Sequence, residues 1–191
     1  YKDPLFHIHI NVDYPLSFKG ILYFPRLSGR MDNMQGEIKL YNNQVYVADN
    51  IKEVIPEFLM LLKGVIDCPD MPLNVSRSFL QNDGTLKKIR DHITKKVSDR
   101  LCGMFDSSRE EYEKCWQDIG VFIKYGCMRE EKFCERIYGD IVFNDINGDY
   151  YTLSEYIEKF APEKKIYYVT NAVQQAGYIS LFKENGLNAV I

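Results

Sequence analysis

The sequence predicts an α/β protein: two layered units joined by a helical connector. Three observations carry that prediction. Residues 5–48 fall into short apolar or alternating segments bounded by turn residues, the pattern of strands. From Ile51 the apolar period lengthens to three or four, giving a helix, a short apolar strand and a long helix. Residues 165–191 then read strand, helix, strand, which implies parallel pairing through a right-handed crossover.

Taken in order, "FHIHINV" sets Phe6, Ile8 and Ile10 against His7, His9 and Asn11, so one face is buried. "GILYFP" is apolar on both faces, suits a central strand, and ends at Pro25. "EIKLYNNQVYVAD" predicts a hairpin, with Ile38 and Leu40 on one arm, Val45 and Val47 on the other, and Asn42-Asn43 at the turn. Before it lies a polar loop, "RLSGRMDNMQG". Ile55, Leu59 and Leu62 share a helical face, with Pro56 tolerable in its first turn. "KGVIDC" reads as a buried strand. The helix after "PDMPLNVS" carries Leu86, Ile89, Ile93, Val97 and Leu101 at helical spacing.

The connector opens on a capping box, Ser107 with Glu110, and carries Tyr112, Trp116, Ile119 and Ile123 before Gly126 stops it. A shorter helix surrounds Phe133 and Ile137. "DIVFNDINGDYY" is a strand and turn. Thr152 with Glu155 forms a second capping box, ahead of Leu153, Tyr156, Ile157 and Phe160. A final helix ends at Gly186.

Composition narrows the function classes. The chain has 191 residues, 46% of them hydrophobic, enough for a buried core. A net charge of -3 argues against a general nucleic-acid or membrane-surface binder. No apolar run reaches the length of a membrane span, and no signal peptide opens the chain. A first residue of Tyr1 suggests a piece of a longer protein. Five cysteines, with no C-x-x-C pair, suit free thiols in a reducing cytoplasm rather than zinc or disulfides.

The chemistry-bearing patterns are few. The twelve glycines never lie closer than six residues apart, so neither G-x-G-x-x-G nor a P-loop is present. His7 and His9 share a strand face but have no third ligand nearby, so no metal site is expected. Lys87, Lys88, Arg90, Lys95, Lys96 and Arg100 are interleaved with Asp91 and Asp99, which describes a salt-bridged solvated helix face. One feature is out of place. Ser76 is a plausible N-cap, which puts Arg77 at the first helical position, where the macrodipole disfavours a cation. Gln81 falls one turn later on the same face. Either Arg77 pairs with Asp67 or Asp70 nearby, or its planar fork waits for an anion at the helix N-terminus.

The blocks I-P-E-F-L at Ile55–Leu59, "GVIDCPDMPLNVSR" at Gly64–Arg77 and Leu80-Gln81 closely resemble the middle domain of the ninety-kilodalton heat-shock chaperones, bacterial HtpG type. "NVDYPLSFKGILYFPR" and "REEYEKCWQDIGVFIKYG" match as well, so the resemblance spans essentially the whole chain. It implies two αβα layered units, the first similar to gyrase-type transducer domains: residues 1–104 as the large sandwich with the catalytic loop, 105–138 as the helical connector, and 139–191 as a truncated small unit. It further implies that ATP and Mg2+ are bound by a separate N-terminal domain. Arg77 would reach the γ-phosphate there, with Gln81 on the same catalytic loop. This chain alone would not hydrolyse ATP. The implied partners are that N-terminal domain, a C-terminal dimerisation domain closing a homodimer, unfolded or partly folded client proteins, and a seventy-kilodalton-type co-chaperone. No nucleic acid or membrane partner is implied, and the location is cytoplasmic. The family's client loop would match residues 25–37, where Leu27, Met31 and Met34 are apolar. A non-catalytic interaction scaffold, with Arg77 merely ion-paired, is the alternative.

Overall fold

The computed structural model describes residues 3–14, 16–26, 36–50, 54–59, 62–71, 84–161, 163 and 165–191. It divides into two compact units, Tyr1–Glu135 and Arg136–Ile191.

The first unit is built on a five-stranded mixed sheet. Its strands are β1 (Phe6–Val12), β2 (Phe18–Phe24), β3 (Glu37–Asn42), β4 (Val45–Asp49) and β5 (Lys63–Asp67), in the order β1-β2-β5-β3-β4. All neighbours run antiparallel except β5 and β3, which are parallel. Strand β1 alternates as its sequence predicts, with Phe6, Ile8, Ile10 and Val12 buried and His7, His9 and Asn11 exposed. Strand β2 is interior, but its second face is only half covered, and Val65 of β5 is exposed. Among the described residues the sheet is therefore covered on one face only, and the further helical layer of an αβα unit is not seen there.

Helix α1 (Gly84–Ser107) covers that face with the predicted stripe of Leu86, Ile89, Ile93, Val97 and Leu101, all buried. Helix α2 (Arg109–Arg129) packs on α1 and buries Tyr112, Trp116, Ile119, Phe122 and Ile123. Aromatic rings fasten these layers together. Phe24 meets Phe122 edge-on at 5.2 Å, and Phe58 lies 5.5 Å from Phe122 and 4.6 Å from Phe133 of helix α3 (Glu131–Ile137).

Four local expectations shift. The β3–β4 turn is Asn43-Gln44, at φ 50° and 64°, not Asn42-Asn43, because Asn42 stays paired with Val45 as the last rung. Ile55, Leu59 and Leu62 are buried, yet the described helix there is one 3-10 turn, Glu57–Leu59, just after Pro56. Ser107 does not cap the connector. Its hydroxyl donates to the Gly103 carbonyl at 2.6 Å, and Ser108 takes the N-cap position without a side-chain bond. Gly126 does not stop α2 either: it lies inside the helix, where a Cβ would come within 2.7 Å of Phe58 Cδ2 and 2.8 Å of Phe133 Cε1. It is a packing glycine.

The second unit pairs β6 (Val142–Asn144) with β7 (Tyr150–Thr152), followed by α4 (Leu153–Phe160). The second capping box is present in full: the Glu155 N–H donates to Thr152 Oγ1 at 3.2 Å, and the Thr152 N–H donates to Glu155 Oε2 at 2.7 Å. The predicted closing strands reduce to bridges. Val190 pairs in parallel with Tyr168 and antiparallel with Asp145, on either side of α5 (Ala176–Glu184) in sequence. Asp145 is the polar hub. Its buried carboxylate accepts the N–H groups of Asn147 and Asp149 at 2.8 and 2.9 Å and the Asn188 amide at 2.7 Å. Burial alone would push this carboxyl up. The hydrogen bonds, that from Asn188 foremost, outweigh it and hold it below 3.8. A lowered folded pKa stabilises the unit at pH values above 3.8, and that contribution is lost as pH falls through the folded value.

Two helical glycines give a paired test. At Gly103 a Cβ meets nothing within 4 Å, so Gly103→Ala is expected to stabilise the chain by up to about 1 kcal/mol through helix propensity. At Gly126 the clash with two rings outweighs the same gain. Gly126→Ala is expected to cost about 1–2 kcal/mol net, measured by denaturant unfolding.

Candidate functional site

Asp67, Asp70, Arg77 and Gln81 belong to the stretch that leaves β5 and enters α1. Arg77 and Gln81 lie outside the described residues. Both ends of the stretch are described, and they are firmly held. At the entry, the Cys68 N–H donates to the Tyr41 carbonyl at 2.9 Å, extending the β5–β3 pairing, and the Met71 N–H turns back to the Cys68 carbonyl at 3.2 Å. The Asn42 side-chain amide donates to the carbonyls of Cys68, Pro69 and Met71 at 3.1, 3.2 and 3.3 Å. Two amide hydrogens serve three acceptors, so at least one is shared. At the exit, Leu86 and Ile89 are buried in the first turns of α1.

The electrostatics of the entry are those of an acidic turn already partly spent. Asp70 Oδ2 accepts the Ser17 N–H at 2.7 Å, and Asp67 Oδ2 accepts the Gln44 N–H at 3.1 Å. Each candidate ion-pair partner for Arg77 thus spends one oxygen on backbone. Asp67 Oδ1 is buried and has no hydrogen-bond partner among the described residues. Cys68 between them is fully buried. Burial, and then the negative charge of Asp70, push its thiol up to about 11, which makes it inert packing rather than a nucleophile.

Other sequence candidates resolve differently. His7 and His9 are exposed and meet edge-on at 5.0 Å, and among the described residues no group of three or more His, Cys, Asp or Glu is placed to hold a metal. The α1 charges reach across helices: Arg90 pairs with Glu130, and Asp91 with Lys132 at 2.9 Å, while Arg100 lies over the Phe6 ring at 5.7 Å. Among the described residues no helix is long and apolar enough to cross a membrane. The loop residues Leu27, Met31 and Met34 lie outside the described residues. The second unit instead presents a groove of about 380 Å³, lined by Ile166, Tyr167, Tyr168, Tyr178, Ile179 and Phe182 among others.

Asn42 and this groove were not anticipated. An Asn before a turn reads as a turn former, and the spacing of Tyr178 and Phe182 does not show that α5 leaves its apolar face open, although it buries none of its residues.

Comparison with known proteins bears on the whole chain. The family model described as Hsp90 protein matches residues 1–190. The chaperone protein htpG of Bacteroides fragilis (strain YCH46) is 45% identical over 99% of this chain and 29% of its own length. The chaperone protein HtpG of Porphyromonas gingivalis is 50% identical over 81% of this chain and 23% of its own. The chain thus spans less than a third of these curated relatives. Among solved structures, the middle domain of a Plasmodium falciparum heat shock protein superposes with a TM-score of 0.72 at 26% identity, covering 100% of this chain and 77% of that one.

Replacing Asn42 tests the hold on the entry. Asn42→Ala is expected to cost about 1–2 kcal/mol by removing the shared donors. Asn42→Asp is expected to cost more, since a carboxylate would face three carbonyl oxygens. Denaturant unfolding, with hydrogen exchange at residues 68–71, measures both.

Proposed function

Because this chain belongs to the Hsp90 family and matches a heat shock protein middle domain over its full length, we propose that it is the middle domain of an ATP-driven chaperone whose catalytic arginine is Arg77. The L-N-V-S-R block at Leu73–Arg77, running directly from the clasped end of β5, supports this most directly. With no glycine loop able to cradle phosphates, the chain's own part in hydrolysis is to supply charge to a nucleotide held elsewhere. ATP and Mg2+ would be held by an N-terminal domain of the full-length protein, where the metal would neutralise phosphate charge. Arg77 would approach the γ-phosphate from outside that pocket, its fork matching two phosphate oxygens, and Gln81 would line the same loop. Charge stabilisation from a second domain is the logic of an arginine finger.

The full-length protein on this account is a homodimer closed by a C-terminal domain, located in the cytoplasm, and served by a seventy-kilodalton-type co-chaperone. Clients would meet exposed apolar surface, of which Tyr167, Tyr168 and Tyr178 of the second unit are one part.

Arg77→Ala in the full-length protein is expected to lower ATP turnover by at least about tenfold while leaving nucleotide affinity near wild type, and Arg77→Lys is expected to restore little because it lacks the planar fork. Turnover unchanged by Arg77→Ala, with client binding weakened, would instead make this a non-catalytic scaffold.

A further inference from the structure

Strand β1 is the outermost strand of its sheet, and His7 and His9 stand on the face left uncovered among the described residues. Phe6, Ile8 and Ile10, beside and between them, are buried on the opposite face, so the backbone beneath the pair is anchored in the core. Pairing with β2 sets His7 opposite Tyr23 and His9 opposite Ile21, so no lysine or arginine stands directly across from either ring. Lys19, opposite Asn11, is diagonal to His9, and Lys63 lies one strand beyond Tyr23.

Positions i and i+2 of a strand lie about 6.6–6.8 Å apart along the chain. The two imidazoles have closed that gap to 5.0 Å between ring centroids, and they stand at 87° to one another. Tyr23 flanks His7 at 6.3 Å, which narrows the swing of that ring on the side away from His9. The separation has a chemical meaning. With metal–nitrogen bonds of about 2.0–2.1 Å and a ring radius of roughly 1.1 Å, two imidazoles sharing one ion have centres about 4.5–5.2 Å apart at octahedral to tetrahedral angles.

We propose that His7 and His9 form an open two-imidazole chelate for a divalent transition ion: nickel(II), copper(II) or zinc(II). The donors select that class, because imidazole nitrogen suits these ions whereas magnesium and calcium take oxygen ligands. Among the three, copper(II) binds such a site most tightly. The pair is not a closed structural centre. Among the described residues no third His, Cys, Asp or Glu joins it, so water or a ligand from outside the chain completes the coordination.

The test titrates nickel(II) chloride into the untagged 191-residue chain, followed by calorimetry and by amide NMR. Nickel(II) is the probe because it does not oxidise thiols as copper(II) does and, being paramagnetic, broadens the resonances of residues beside it. Broadening is expected to centre on residues 7 and 9 and to reach Ile21 and Tyr23 across the strand pair. Each of His7→Thr and His9→Thr places a strand-forming residue at an exposed position. Each is expected to weaken binding by about tenfold or more, since a lost ligand costs at least what a lost outer-shell partner does. His92 packs edge-on against Phe18 at 6.1 Å, away from the pair in the sequence, and His92→Gln is expected to leave binding unchanged. Broadening centred on His92 or on the cysteines, or binding that either Thr variant leaves as tight as before, would overturn the proposal. So would a titration with no saturable binding.

Discussion

Asn42 stands at the last rung of a hairpin and gives its side-chain amide to three carbonyls of the turn that follows β5. Much of the first unit depends on that one group. The turn it holds carries Cys68 into the core and presents Asp67 and Asp70 to the backbone of two other segments. Parallel pairing of β3 with β5 is what brings Asn42 beside the end of β5, so the sheet's register and the clasp require each other. From the clasp to Gly84 the chain spans residues 72–83, and α1 receives it with an apolar stripe locked into the core.

The close approach of β2 and β5 shows a second constraint of the same kind. A Cβ at Gly20 would lie 2.4 Å from the Val65 carbonyl oxygen, and one at Gly64 would lie 2.1 Å from that of Ile21. These two glycines let the central strands meet where β5 inserts between its neighbours. Neither position bears on chemistry directly, yet the placement of β5, and of everything that leaves it, rests on them.

What could be seen in the sequence divides along physical lines. Features set by local periodicity were legible: the alternation of β1, the stripe of α1, and the reciprocal capping of Thr152 and Glu155 all depend on residues a few positions apart. Features set by tertiary packing were not. Gly126 looks like a helix terminator until the Phe58 and Phe133 rings are placed against it. Ser107 looks like a cap, but the hydroxyl finds the Gly103 carbonyl first and α1 runs on through it. The turn register slipped by one because Asn42 has a better use for its amide than forming a turn. The half-covered sheet was hidden because strand apolarity does not tell a packed face from an exposed one, as Val65 shows. Of the candidate site, Arg77 and Gln81 stand in a sequence motif but lie outside the described residues, while the hydrogen bonds at the entry to their segment could not be read from the sequence.

In the proposed function, one guanidinium is the contribution of this chain to a reaction whose other parts lie outside it. A structure of the full-length dimer closed around a non-hydrolysable ATP analogue tests that most directly, through the distance from Arg77 to the γ-phosphate oxygens. Charge-assisted hydrogen bonds at about 2.7–2.9 Å are the predicted result. A closed, nucleotide-loaded dimer in which Arg77 is instead paired with Asp67 or Asp70 would contradict it.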